Sequence, residues 1–179
     1  MDIYEDDREL ERESDERANN LKYVDIPNGI LEINEGIIVH QVNCRNRIGA
    51  GISGVICKKY PIVEKNYHLA CERFGAKGVF GTVQEVPVTD KLTIVNMFSQ
   101  FNFGNPKKTG KRYTDYNAFI DGLTVICNKH PNENIYISEY IGCGFGGGDW
   151  NTLCSLIQHL PITIVKQPDY IAKTYKACK

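Results

Sequence analysis

Two glycine-rich segments and one histidine carry the chemistry that the residue spacing of this chain allows. The denser segment is Ile141-Gly142-Cys143-Gly144-Phe145-Gly146-Gly147-Gly148, with five glycines between positions 142 and 148. Successive backbone amides in such a loop form a concave nest for an anion. A helix expected from Trp150 adds the positive end of its dipole, so a phosphate group suits this place. The loop is neither a Walker A motif nor a dinucleotide fingerprint: it lacks the Lys-Ser/Thr pair and does not open the first βαβ unit. The sparser segment is Gly49-Ala50-Gly51, between an apolar run and a helical pattern. Glycines there let a ligand approach the backbone, although the same pattern also serves a tight strand-to-helix turn. His40 lies just upstream, and an imidazole can donate to a phosphate oxygen or pass a proton near neutral pH. Buried on a strand, the same residue would be a hydrogen-bonded core histidine. Asp149 adjoins the dense loop, where it suits both a water-orienting role and the N-cap of the helix from Trp150. Ser99 and Gln100 end another apolar run and place polar groups near the same end of the fold.

The elements that must position these residues follow from periodicity and breakers. Tyr23-Val24-Asp25 and Ile30–Ile33 read as short strands around a Pro27-Asn28-Gly29 turn. Gly36–Val42 is nearly continuous in apolar residues, as a strand buried on both faces would be. Ile52–Tyr60 and Ile62–Phe74 read as helices separated by Pro61, with Gly75 as the cap of the second. Phe80–Val88 and Leu92–Phe98 read as strands, and 101–112 as a loop rich in Gly, Asn and Lys. Thr114–Lys129 is expected to be a helix with Phe119, Leu123 and Ile126 on one face. A strand over 134–140, the glycine loop, a helix over Trp150–Leu160 and a strand over Ile162–Val165 complete the chain. Alternation of strands and helices predicts an α/β fold: a mixed, mostly parallel sheet with helices on both faces. Ligands in such sheets sit beyond the carboxyl ends of the strands, where both glycine segments fall.

Composition bounds the partners. Of 179 residues, 42% are apolar and 24% charged, as in ordinary globular domains. Residues 1–20 hold nine acids and three bases, a net of −6; the remainder has 13 acids and 18 bases, a net of +5. The body is thus mildly cationic, which suits an anionic ligand. The expected organisation is an acidic, disordered tail over 1–20, one domain over 21–170 and a short tail over 171–179. Lys107, Lys108, Lys111 and Arg112 read as a solvated basic loop. No basic stripe with interleaved aromatics points to a nucleic acid. Seven cysteines form no CxxC pair and no zinc spacing, which suggests free thiols in a reducing compartment. The expectation is a cytoplasmic monomer with no metal, no cofactor, no signal peptide and no membrane span.

Val39-His40-Gln41-Val42-Asn43-Cys44 followed by Gly49-Ala50-Gly51-Ile52 and Lys59-Tyr60-Pro61 resembles the first ligand loop of macrodomains. Ile141–Trp150 resembles their second, phosphate-binding loop, and the resemblance covers roughly residues 21–166. Within that fold the chain looks most similar to the yeast-type ADP-ribose 1''-phosphate phosphatases and the related ADP-ribosyl-glutamate hydrolases. The resemblance implies a three-layer α/β/α fold with a cleft for ADP-ribose. It places the diphosphate over Gly142, Cys143, Gly144, Phe145, Gly146 and Gly147. The distal ribose falls between Asn43 and Gly49-Ala50-Gly51-Ile52, and the adenine near Gly29, Ile30 and Tyr140. His40 matches the position of a functional histidine in the yeast-type enzymes. The chain departs from both hydrolase branches, with Ser53, Gln100 and Gly146 where they carry Asp, Lys and Asp. Asn28-Gly29 stands where an acidic residue often recognises adenine. The implied activity is hydrolysis of the phosphate monoester of ADP-ribose 1''-phosphate, with His40, Asn43 and Asp149 as the catalytic candidates and Ser99 and Gln100 at the cleft. A non-catalytic reader of ADP-ribose, or of an ADP-ribosylated macromolecule, is the first alternative. A hydrolase acting on modified protein or nucleic acid is the second.

Overall fold

The computed structural model describes residues 21–168; both tails expected from the sequence, and residues 169–170, lie outside that range. The strands are β1 (Lys22–Val24), β2 (Gly36–Asn43), β3 (Val83–Pro87), β4 (Leu92–Gln100), β5 (Ile135–Ser138) and β6 (Ile162–Val165). The helices are α1 (Gly51–Lys59), α2 (Pro61–Val79), a short α3 (Pro106–Thr109), α4 (Tyr116–Lys129) and α5 (Trp150–Ile157). The six strands form one sheet in the order β1-β6-β5-β2-β4-β3. All neighbours are parallel except β3, which runs antiparallel to β4 at one edge.

Side chains on a strand alternate between faces, and both faces here are covered. Ile37, Val39, Val95, Met97 and Ile137 pack against Phe119, Leu123 and Ile126 of α4 and Leu153 and Ile157 of α5. Ile38, Leu92, Ile94 and Val86 pack on the opposite face against Ile56 and Cys57 of α1 and Val63 of α2. Val42 and Phe98 extend that second face to Tyr67, Ala70 and Cys71. The result is the expected three-layer α/β/α arrangement with a mixed sheet. Burial on both faces explains why β2 reads as an unbroken apolar run. No helix among the described residues is long and apolar enough to cross a membrane.

Several expected elements differ. Ile30–Ile33 is not a strand: Gly29–Glu32 forms a 3-10 turn. Gly29 at φ +69° sits so close to Pro168 that a Cβ would lie 2.8 Å from the proline Cδ. The turn folds back there instead of extending into the sheet. Gly75 does interrupt the second helix, at φ 67° and ψ 172°, but one more helical turn follows as far as Val79. α4 begins at Tyr116 because Asp115 is its N-cap, accepting from the Ala118 amide. Thr114 instead bridges to Gln100. α5 ends three residues early, at Ile157, and the loop over 101–112 contains α3.

Candidate functional site

A cleft of about 500 Å3 opens at the carboxyl ends of β2, β4 and β5. Asn43, Gly49, Ala50, Gly51 and Ile52 line one side, and Tyr140, Gly142, Gly144, Phe145 and Gly146 line the other. Gln100 lies between them, paired in register with Asn43 at the ends of adjacent strands.

The second loop sorts its amides into two classes. The N–H groups of Ile141, Cys143, Gly147 and Gly148 donate to Ser138 O, Tyr140 O, Gly144 O and Gly142 O, which closes the loop on itself. Those of Gly142, Gly144, Phe145 and Gly146 make no hydrogen bond among the described residues. These four residues all line the cleft, together with Ile141. Open amides converging on one space make an anion nest. Cys143 and Gly147, expected among the ligand contacts, do not line the cleft. The Cys143 thiol contacts the Ile141 carbonyl, and Gly147 backs onto Pro106.

The first loop is held from below. Gly49 and Gly51 have φ of 122° and 58°, a region that suits glycine. The N–H groups of Gly51 and Ile52 at the start of α1 have no helical partner. Gly54 lets the loop fold over the helix, since a Cβ there would strike the Gly49 carbonyl. The Asn43 carboxamide is largely spent on loop structure. Its Oδ1 accepts from the Arg45 amide at 2.9 Å and from Tyr67 Oη at 3.1 Å, and its Nδ2 donates to Arg47 O at 2.5 Å.

His40 lies below the cleft and does not line it; its side chain is 1% exposed. Asn96 Nδ2 donates to Gln84 Oε1 at 2.9 Å, so Asn96 Oδ1 faces the ring and accepts from His40 Nε2 at 2.6 Å. That leaves Nδ1 as an acceptor 3.0 Å from Ser53 Oγ, whose single proton is contested by Gln41 O at 2.9 Å. Burial pulls the His40 pKa down to about 4, against the opposing hydrogen bond to Asn96, so the imidazole is neutral. Ser53, which does line the cleft, is the nearest link between His40 and a ligand.

Asp149 caps α5: its Oδ1 accepts from the Thr152 amide and hydroxyl, both at 2.8 Å. It is outside the cleft lining, as are Ser99, Gly29 and Ile30. The Ser99 hydroxyl is buried without a partner, and its carbonyl accepts from the Asp115 amide. Tyr140 does line the cleft, at φ 60°, a costly conformation for a bulky residue. Its ring lies 5.4 Å from that of Trp150.

Sequence reasoning missed residues that only tertiary contact brings in. The segment Tyr113–Tyr116 fastens the second loop at three points. The amides of Tyr113 and Thr114 donate to Gly146 O, Thr114 Oγ1 donates to Gly142 O at 2.7 Å, and Tyr116 Oη accepts from the Asp149 amide at 2.9 Å. Gln41 joins Thr114 to Gln100 beneath the cleft. Gln167 lines the far end, its Nε2 donating to Ser138 Oγ and Glu139 O. At the other end Arg47 and Phe103 form the rim, the guanidinium 5.3 Å from the ring centre. Arg45 sits similarly over Phe101 at 4.7 Å. Their signal was present as Arg45-Asn46-Arg47 and Phe101-Asn102-Phe103, two short motifs far apart in sequence. Among the described residues no group of His, Cys, Asp and Glu could hold a metal ion.

No protein-family model matches the chain, and no curated protein sequence matches it. Solved structures do. A Bacteroides thetaiotaomicron protein of unknown function is 23% identical, with a TM-score of 0.69 over 82% of this chain and 97% of its own. The macrodomain of Mycobacterium tuberculosis DarG is 22% identical, with a TM-score of 0.62 over 83% of this chain and 98% of its own. Thermosipho africanus DarTG, solved in complex with ADP-ribose, is 16% identical, with a TM-score of 0.56 over 76% of this chain and 39% of its own. At these identities the likeness carries the fold, and the fold is that of the macrodomains.

Proposed function

We propose that the chain is a macrodomain whose cleft binds ADP-ribose and that it hydrolyses the phosphate monoester of ADP-ribose 1''-phosphate. The observation that carries the binding is the set of four open amides at Gly142, Gly144, Phe145 and Gly146, all on residues that line one cleft. They suit the diphosphate. Gly49, Ala50, Gly51 and Ile52 suit the distal ribose. Tyr140, Ile141 and Gln167 offer the apolar and amide wall that an adenine uses. A related fold solved with ADP-ribose adds support.

What lines the cleft supports phosphoryl transfer over glycosidic cleavage. Among the described residues, those lining the cleft include Arg47 and Tyr140 but no carboxylate and no histidine. Glycosidic cleavage relies on positioned carboxylates. Phosphoryl transfer passes through a loose transition state and asks mainly for positioning and charge stabilisation. Water attacks phosphorus, the ester oxygen leaves with the ribose as its 1''-hydroxyl, and inorganic phosphate is released. Amide donors and Arg47 suit the charge that develops. His40 acts in this reading through Ser53, as a positioning group for the first loop.

Phosphate release from ADP-ribose 1''-phosphate tests the reaction, and calorimetry with ADP-ribose tests the binding. A specific observation favours a second reading: His40, the candidate catalytic histidine, is sealed beneath the cleft. Tight ADP-ribose binding without phosphate release would select a non-catalytic reader. Absence of ADP-ribose binding would sink both.

A further inference from the structure

We infer that Gln100 reads the substituent on the distal ribose as a hydrogen-bond donor, and that Gln41 and Thr114 are the positioning residues that turn it so. The inference rests on the ADP-ribose reading of the cleft, which places the distal ribose at the ends of β2 and β4.

Gln41 Nε2 spends both of its N–H groups, one on Gln100 Oε1 and one on Thr114 Oγ1, each at 2.9 Å. Thr114 Oγ1, having accepted that bond, donates its own proton to Gly142 O. The direction of the chain is therefore fixed. Turning the Gln41 amide over would strand two buried N–H groups, whereas the observed setting strands one acceptor, Gln41 Oε1. With Oε1 committed to Gln41, the Gln100 amide nitrogen points the other way. Among the described residues no group accepts from it, and Gln100 lines the cleft.

Asn43, its partner in register, makes the contrast. Both lone-pair directions of its Oδ1 and one of its N–H groups are already used by the first loop. Of the two carboxamides at the strand ends, Gln100 is the one whose amide nitrogen keeps both donors unspent, while its Oε1 is held towards Gln41. Such a group discriminates by type. It favours a substituent made only of acceptor oxygens, such as a phosphate monoester, over a hydroxyl that offers a donor as well.

The test is stopped-flow displacement of a fluorescent ADP-ribose, read before turnover, by ADP, ADP-ribose and ADP-ribose 1''-phosphate. Gln100→Glu keeps the shape and replaces both donors by a charged acceptor. It should weaken ADP-ribose 1''-phosphate by about 30-fold and ADP-ribose by about threefold. ADP, which lacks the distal ribose, should be unchanged. Gln41→Met leaves Gln100 in place but frees it to turn, and should show the same pattern at about a fifth of the size. Equal losses on all three ligands, or no loss on any, would overturn the inference. If Gln100→Glu does not fold, unchanged selectivity in Gln41→Met overturns it alone. Wild-type protein that binds none of the three sinks the underlying reading and this inference together. Wild-type protein that binds, beside a Gln100→Glu variant of unchanged selectivity, sinks only this inference.

Discussion

His40 and Gln41 are consecutive on β2, and their side chains leave the sheet on opposite faces. His40 faces α1 and α2 and ends in a closed set, with Ser53 and Asn96 occupying both ring nitrogens. Gln41 faces the second loop and ends in an open one, with Thr114 and Gly142 on one branch and the unspent Gln100 amide on the other. Both sets are buried and polar. A closed set confers stability and places a loop, because losing any member strands the others. An open set aims unused donors at whatever enters the cleft. The difference separates the residue whose chemistry looks reactive from the residue positioned to use chemistry.

The comparison breaks at different points and with different force. His40→Ala should cost most, roughly 4 kcal/mol in a denaturant titration, since it leaves a cavity and strands buried partners. A loss under about 1 kcal/mol would mean the set is not closed. The pH dependence of that set comes next. Unfolded, His40 titrates near 6.5; folded, it titrates near 4. Between those values the unfolded chain holds the extra proton. The contribution is thus complete above about pH 6.5 and falls as pH drops towards 4, by about 3 kcal/mol in all. Urea midpoints across that range should fall on acidification, and less so in His40→Ala.

Gly146→Ala attacks the open set from the loop side. A Cβ at Gly146 would strike Thr114 Oγ1 and the Gly142 carbonyl, so the loop must move. ADP-ribose affinity should fall by about 100-fold in calorimetry; an unchanged affinity would mean that the amide nest is not the binding feature. Thr114→Val keeps the shape but removes the bond to Gly142, and should cost about tenfold. Asp149→Ala should be mildest, about 1 kcal/mol of stability from the lost cap, read from the melting temperature. A loss several times larger would show that Asp149 supports more than α5.

The second loop was legible because its glycines are dense and contiguous, and contiguity is what a sequence shows directly. The succession of strands and helices was legible because apolar runs and breakers alternate. Which face His40 takes was not legible. β2 is buried on both sides, so the alternation that distinguishes faces is hidden by apolar residues on each. The open set was hidden for another reason. Gln41 meets Gln100 and Thr114 across separations of 59 and 73 residues, and an amide side chain gives no local sign of its partner. The extended form expected of Ile30–Ile33 failed because local propensity cannot see Pro168, against which Gly29 packs. Asp149 was legible as a cap because a cap and its helix are adjacent.

The segment Tyr113–Tyr116 holds the second loop at Gly142, Gly146 and Asp149 and then enters α4 without a break. A pull on the loop is therefore a pull on the first turn of that helix. That same helix ends where Lys129 and His130 meet Glu85 on the edge strand, so the loop's anchor and the edge strand's anchor sit at its two ends.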